Sequence, residues 1–301
     1  MKRIEEIPMY RRTKGPLMTI GVIVNNAILL IAAALSLLPI LHIIAVSFSE
    51  NAPANANLVG LIPIGFNLKA YAEAVTDSKM LVALVQTIKR TALGVPVNMI
   101  LTILCAYPLS YHKKDFPMRT FYSGFVIFTM LFSGGLIPSY ILMSRLNLMD
   151  TLWALVLPGI PVFNVIIMMN FFREIPEEIK EAAMIDGAEH FTMLTRIILP
   201  TSGAVLATLT LFCFVGHWNA WFDALIYMKD LTRYPLQNYI QTQVARMTLS
   251  PDLEEAKRLA FISRRSLLFA RIFISIVPIL IVYPFLQKYF QTGIIVGAVK
   301  G

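Results

Sequence analysis

The sequence predicts an all-α polytopic membrane protein with six transmembrane helices. Composition is the first observation behind this. Of 301 residues, 57% are hydrophobic and 15% charged, and the mean hydropathy is +0.67. A soluble domain carries about a quarter charged residues, so the apolar surplus here must face a lipid bilayer rather than water. The second observation is grouping. The apolar residues gather in six blocks, 17–47, 91–110, 121–143, 152–172, 203–227 and 267–286, each near the roughly 20 residues that cross a hydrocarbon core. No internal repeat or separate soluble domain interrupts them. The expected order is a cytoplasmic segment 1–16, a first span 17–47, an extracytoplasmic loop 48–84, a core 85–290 with five spans, and a tail 291–301.

The first block is far longer than the ~7–15 residues of a signal-peptide core and reads as a retained span. Prolines lie inside several blocks (Pro39, Pro96, Pro138, Pro158, Pro161, Pro278). Neighbouring helices can re-satisfy the carbonyls they free, and the pair Pro158 and Pro161 predicts a bent or interrupted fourth span. The connections at 48–84 and 228–266 are long, polar and turn-rich, with room for surface helices such as 253–262. Lys and Arg outnumber Asp and Glu by 26 to 18, a net charge of +8. The basic residues sit in the connections, which suits anionic lipid and topology. No zinc-knuckle or RNA-binding pattern accompanies them, so nucleic acid is not an expected partner. Lys2, Arg3, Arg11, Arg12 and Lys14, with the basic turn around Lys113 and Lys114, favour a cytoplasmic N-terminus. Lys229, Arg233, Arg246, Lys257, Arg258, Arg264 and Arg265 would then face outward, so charge alone leaves the side open.

The connection at 173–200 is the most informative stretch. Pro176 suits a helix start, and Glu177 and Glu178 complement the positive end of the helix dipole. Ile175, Ile179, Ala182 and Ala183 or Met184 fall along one face, thinned by the alanines. Asp186 and Gly187 then supply a stop, since glycine adopts the left-handed conformation at a helix end. A second short apolar helix at 191–199 ends at Pro200. On physics alone this is an interfacial amphipathic helix or a docking element, and periodicity does not separate the two.

The full pattern of Glu181-Ala182-Ala183, Gly187, Ile197 and Leu199-Pro200 resembles the EAA loop of binding-protein-dependent ABC importer permeases. Ala106-Tyr107-Pro108-Leu109-Ser110, the stretch from Gly216 to Asp223, Tyr283-Pro284-Phe285 and the tail from Gln287 to Gly301 are similar to carbohydrate permeases of the maltose G-subunit type. The first three of these stretches look closer to the complex-oligosaccharide branch that includes the alginate-importer permease. The resemblance implies a type I importer fold with both termini cytoplasmic, in a bacterial inner membrane. It implies a second homologous permease subunit, two ATP-binding subunits that hold ATP and Mg, an extracytoplasmic solute-binding protein and an oligosaccharide substrate, an acidic one such as alginate included. Glu177, Glu181, Ala182, Ala183, Asp186, Gly187, Leu199 and Pro200 would couple to the ATPase, and Gly297, Lys300 and Gly301 would reach it from the tail. The region 248–265 is longer and more charged than the family pattern.

This chain is not expected to be an enzyme or to hold a cofactor. It has no Gly-x-x-x-x-Gly-Lys-Ser/Thr loop to cradle phosphates, and no metal site is expected from the scattered histidines or from Cys105 and Cys213. Polar groups inside apolar spans are the default clue to a substrate path. Trp218, Asn219, Trp221 and Asp223 cluster beside His217, with Asn164 and Asn170 in the fourth block. The tryptophans suit either sugar stacking or an interfacial belt. Arg271 either snorkels outward or pairs with Asp223. A secondary transporter and a non-transporting scaffold are the alternatives.

Overall fold

The computed structural model describes residues 16–159, 161–249 and 264–298, and every regular element among them is helical. The basic N-terminal residues, the anticipated helix at 253–262, and Lys300 and Gly301 lie outside the described residues.

Helix α1 (Pro16–Ser47) is apolar around its whole circumference, and the most hydrophobic window of its side chains has no buried residue. Such a helix is stable only with lipid or another chain around it. Its C-terminal end is anchored, with Ala45 and Val46 packed against Ala54, Val59 and Phe269. Short helices α2 (Asn51–Asn55) and α3 (Lys69–Thr76) lead to α4 (Ser78–Ser110). The Asp77 carboxylate caps α4, accepting from the Lys79 N–H at 3.0 Å. The expected loop 48–84 and span 91–110 therefore need correction, because α4 starts at Ser78. Lys79, Lys89 and Arg90 depress the hydropathy of its first turns. Tertiary partners compensate: Arg90 is 3% exposed, and the Thr87 hydroxyl accepts from the Leu236 N–H at 2.7 Å.

The block expected as one span at 121–143 is broken. It is two helices, α5 (Arg119–Leu131) and α6 (Leu136–Arg145), bent by 111°. Gly135 in the break has φ +87°, which an L-residue adopts only with strain. After short 3₁₀ turns at Leu152–Leu155 and Leu157–Gly159, α7 (Val162–Arg173) begins. The interruption falls at Pro158 and Pro161, as the prolines predict. Helix α8 (Glu177–Ile185) and α9 (His190–Thr192) follow, then π-helical turns at Met193–Ile198 and α10 (Leu199–Thr201). The chain bends by 85° at Ser202 into α11 (Gly203–Asn219). The span expected at 203–227 breaks at Ala220 and resumes as α12 (Phe222–Tyr227). Helix α13 (Leu236–Leu249) occupies part of the connection read as polar loop, and α14 (Arg264–Ala298) completes the chain.

Among the described residues, three helices are long and apolar enough to cross a membrane, or up to five if each bent pair counts as one span, and α7 is shorter. Helix α4 is the central post, packed by α5, α7, α11 and α13, while α14 binds α1, α3, α11 and α13. Two apolar clusters hold the bundle. One joins Ala106 and Tyr107 of α4 to Met168 and Phe172 of α7, Ala183 of α8, and Ile198 and Leu209 beyond the elbow. The other, at the opposite end of α4, joins Met80 and Ala83 to Trp218, Leu236, Tyr239 and Leu267.

Candidate functional site

At the end of the bundle where α4 and α7 terminate, α8 lies across their tips. Pro176 caps its start, and Asp186 with Gly187 closes it. Gly187 has φ +81°; its N–H donates to the Met184 carbonyl at 3.0 Å, and the Ala188 N–H donates to the Ala183 carbonyl at 2.9 Å. That pair of bonds is a Schellman closure, satisfying carbonyls a helix end would leave bare. Ile175 and Ala183 anchor the helix in the core. Lys180 is buried, and its Nζ donates to the Phe172 carbonyl at 3.1 Å, tying α8 to the last turn of α7. Burial lowers the Lys180 pKa from its ordinary value, with Glu177 opposing. Exposed Glu177 meets His112 at 2.6 Å, linking α8 to the turn after α4. The Tyr107 hydroxyl donates to the His190 carbonyl at 3.1 Å and seats the second arm of the elbow.

The outward side is apolar. Ile179, Met184, Ile185 and Phe191 are exposed, Ile185 at 86%. The two alanines divide: Ala182 is exposed while Ala183 packs inward. The single thin alanine face expected from the sequence is thus corrected, since the helical turn between them points one at the core and one at solvent.

A second site lies within the bundle, a cavity of about 430 Å³ between α4, α7, α11 and α12. Its polar wall is Arg90, Asn98, Asn164, His217 and Asp223, against Leu155, Phe212, Phe222 and Tyr227. Arg90, Gly94 and Asn98 recur every fourth residue and share one face of α4. The Arg90 guanidinium grips Asp223 end-on: Nη1 donates to Oδ1 at 3.0 Å and Nη2 pairs with Oδ2. Nη1 also reaches the Ala220 carbonyl at 3.3 Å, at the break between α11 and α12. Asn98 Nδ2 lies 2.9 Å from His217 Nε2, and Asn164 donates to Cys213 Sγ at 3.4 Å. Gly94 lets His217 approach closely, because a Cβ there would lie 2.5 Å from the imidazole. Among the described residues, no group of three or more His, Cys, Asp or Glu is placed to hold a metal.

No family model matches the chain. Single relatives do. Protein LplC of Bacillus subtilis is 39% identical over 269 residues, covering 89% of this chain and 90% of that protein. The polygalacturonan/rhamnogalacturonan transport system permease protein YtcP of the same organism is 36% identical over 275 residues, covering 91% and 96%. A chain of a bacterial ABC transporter involved in the import of the acidic polysaccharide alginate superposes with TM-score 0.83 at 32% identity, covering 94% of this chain and 100% of that one.

The chain belongs to the carbohydrate ABC-importer permease family. The permease is a non-enzymatic membrane subunit of a transporter.

Of the residues singled out in its sequence, Glu177, Glu181, Ala182, Ala183, Asp186 and Gly187 lie together on α8 and its closure, and Leu199 and Pro200 sit where the elbow meets α11. In the permease, Gly297 lies in the last turns of α14. The substrate-path candidates separate. Asp223 and Asn164 line the cavity. Trp218 does not: it is buried toward α14, stacked on Phe214, with Nε1 donating to the Ser275 carbonyl at 2.9 Å. Asn219, the last residue of α11, and Trp221, just past the break at Ala220, are exposed, and Asn170 is exposed near the elbow end of α7. Asp223 pairs with Arg90, not with Arg271. Arg271 instead donates to Asp77 at 2.6 Å, sharing it with the Tyr239 hydroxyl. Arg90 escaped notice because it stands one residue before the apolar block at 91–110; its four-residue spacing to Gly94 and Asn98 was the available signal.

Proposed function

We propose that this permease is one of two homologous membrane subunits of a bacterial inner-membrane importer for oligosaccharides, with uronate-containing chains as the favoured cargo. In this reading there are six spans, and both termini and the α8 elbow face the cytoplasm, the side the EAA resemblance implies. Two separate ATP-binding subunits hold ATP and Mg, one of them receiving α8 in a cleft and meeting the tail at Gly297, Lys300 and Gly301. An extracytoplasmic solute-binding protein delivers the sugar at the opposite end.

The observation that carries this reading is the two-sidedness of α8. One side is fixed by Ile175, Ala183 and the Lys180 bond to α7. The other exposes Ile179, Met184 and Ile185 beside Phe191. Exposed apolar groups of this size mark a protein or membrane contact; the EAA pattern on this helix favours a protein, and a push received there would pass through the Lys180 bond into α7. Acid sugars are favoured because one relative is named for polygalacturonan and a neighbour's transporter for alginate.

The test is to place Gly187→Pro or Glu181→Lys in the importer assembled with its ATPase and binding protein in vesicles. Proline cannot adopt φ +81° and has no N–H for the Met184 carbonyl. The expected outcome is continued ATP hydrolysis with lost uptake; unchanged uptake in both variants overturns the coupling role.

A further inference from the structure

The cavity beside Arg90 holds a cation that its acidic neighbour does not fully use. Arg90 comes from the fourth turn of a long apolar helix and is 3% exposed, whereas the Asp223 side chain is 26% exposed. A buried guanidinium persists only if paired and hydrogen-bonded. Asp223 and the Ala220 carbonyl take its two terminal nitrogens. The Nε–H is buried with no hydrogen-bond partner among the described residues. A guanidinium offers five donors and binds carboxylates along two edges, end-on through both Nη atoms or side-on through Nε and one Nη. Here the end-on edge is taken and the side-on edge is unfilled. The rest of the wall is neutral or aromatic, with Phe212, Phe222, Tyr227, Asn164 and His217 suited to sugar faces and hydroxyls.

We infer that Arg90 is the carboxylate-reading residue of the translocation cavity, taking the carboxylate of a uronate side-on while Asp223 holds the guanidinium end-on in the empty state. This rests on the uronate reading above. Asp223 keeps Arg90 compensated when no sugar is present and can yield, because its own carboxylate retains the Ala224 N–H at 2.8 Å. The Nε edge is buried, so a carboxylate reaches it only when the packing around Arg90 opens. Recognition is therefore tied to the same movement that opens the path.

The test uses the complete importer in vesicles, with a galacturonate oligosaccharide and its fully methyl-esterified, uncharged counterpart as probes. The variants are Arg90→Gln and the double change Arg90→Gln with Asp223→Asn, which removes both charges and avoids an uncompensated buried carboxylate. Co-purification with the ATPase reports assembly. The expected result is uptake of the acid oligomer falling by about tenfold or more in the double variant, with the ester changed by less than about twofold. Equal loss of both probes in an assembled double variant makes the pair a structural rivet and overturns the inference. Undiminished acid uptake overturns it as well. A wild-type importer that moves neither probe overturns the uronate reading itself, and the inference with it.

Discussion

His217 fits against the bare backbone of Gly94, and the space is closed: a Cβ would meet the imidazole at 2.5 Å. Gly94→Ala must therefore push His217 away from Asn98 into the cavity, an overpacking cost of about 1–3 kcal/mol. The expected outcome is a folded permease with strongly reduced uptake, checked by transport assay against a co-purification control. Lys180→Met should act at the other site. It leaves the Phe172 carbonyl without its donor at a cost of about 1–3 kcal/mol and loosens α8 from α7. The ratio of sugar moved to ATP hydrolysed should fall, while Lys180→Arg retains more of it. Neither role stands out in the sequence. Gly94 is one small residue in an apolar run, and Lys180 reads as an ordinary charge on an amphipathic helix until Phe172 is found beneath it.

Elements show the same division between what patterns announce and what contacts decide. The start and stop of α8 were readable because Pro176, Glu177, Glu178 and Gly187 carry their own local chemistry. Replacing Gly187 with Ala keeps the N–H but imposes a left-handed L-residue, costing roughly 1–2 kcal/mol. It should uncouple less than Gly187→Pro in the same uptake-to-hydrolysis ratio. The early start of α4 was not readable, because Gln86, Lys89 and Arg90 separate the short apolar run at 80–85 from the block at 91–110, and only the Asp77 cap and the tertiary contacts of Thr87 and Arg90 join the two. Asp77 also gives a pH dependence. Burial works to raise its pKa, but the Tyr239 hydroxyl, Arg271 and backbone N–H groups outweigh it and hold it below the usual 3.8. The folded carboxylate thus gives up its proton more readily than the unfolded one. Its stabilisation is complete above that value and is lost as pH falls through the lowered one. Thermal unfolding followed on acidification should show this loss in the wild type and a shallower one in Asp77→Asn.

Across the whole molecule, hydropathy located the apolar mass but not its bends. A window average cannot distinguish a straight span from α5 and α6 folded at 111°, or from an elbow that meets α11 at 85°. Only the glycines at 134–135 and the prolines hinted at such joints. The side of the membrane is testable at the most exposed apolar residue of the elbow, Ile185. With Cys105 and Cys213 replaced, Ile185→Cys should react with an impermeant thiol reagent in inside-out vesicles and not in right-side-out ones, and protection by the bound ATPase should follow. The reverse pattern would invert the proposed topology.

The seat of His217 on Gly94 also limits the freedom of the whole bundle. With Gly94 midway along α4 and His217 in the last turn of α11, the two helices cannot slide past each other there without unseating a ring. The fold then has to rotate about its joints, at Ser202 beside the elbow and at Ala220 beside the Arg90–Asp223 pair. In the proposed transport cycle, gearing of that kind would make a stroke at α8 and an opening at the cavity two readings of one angle.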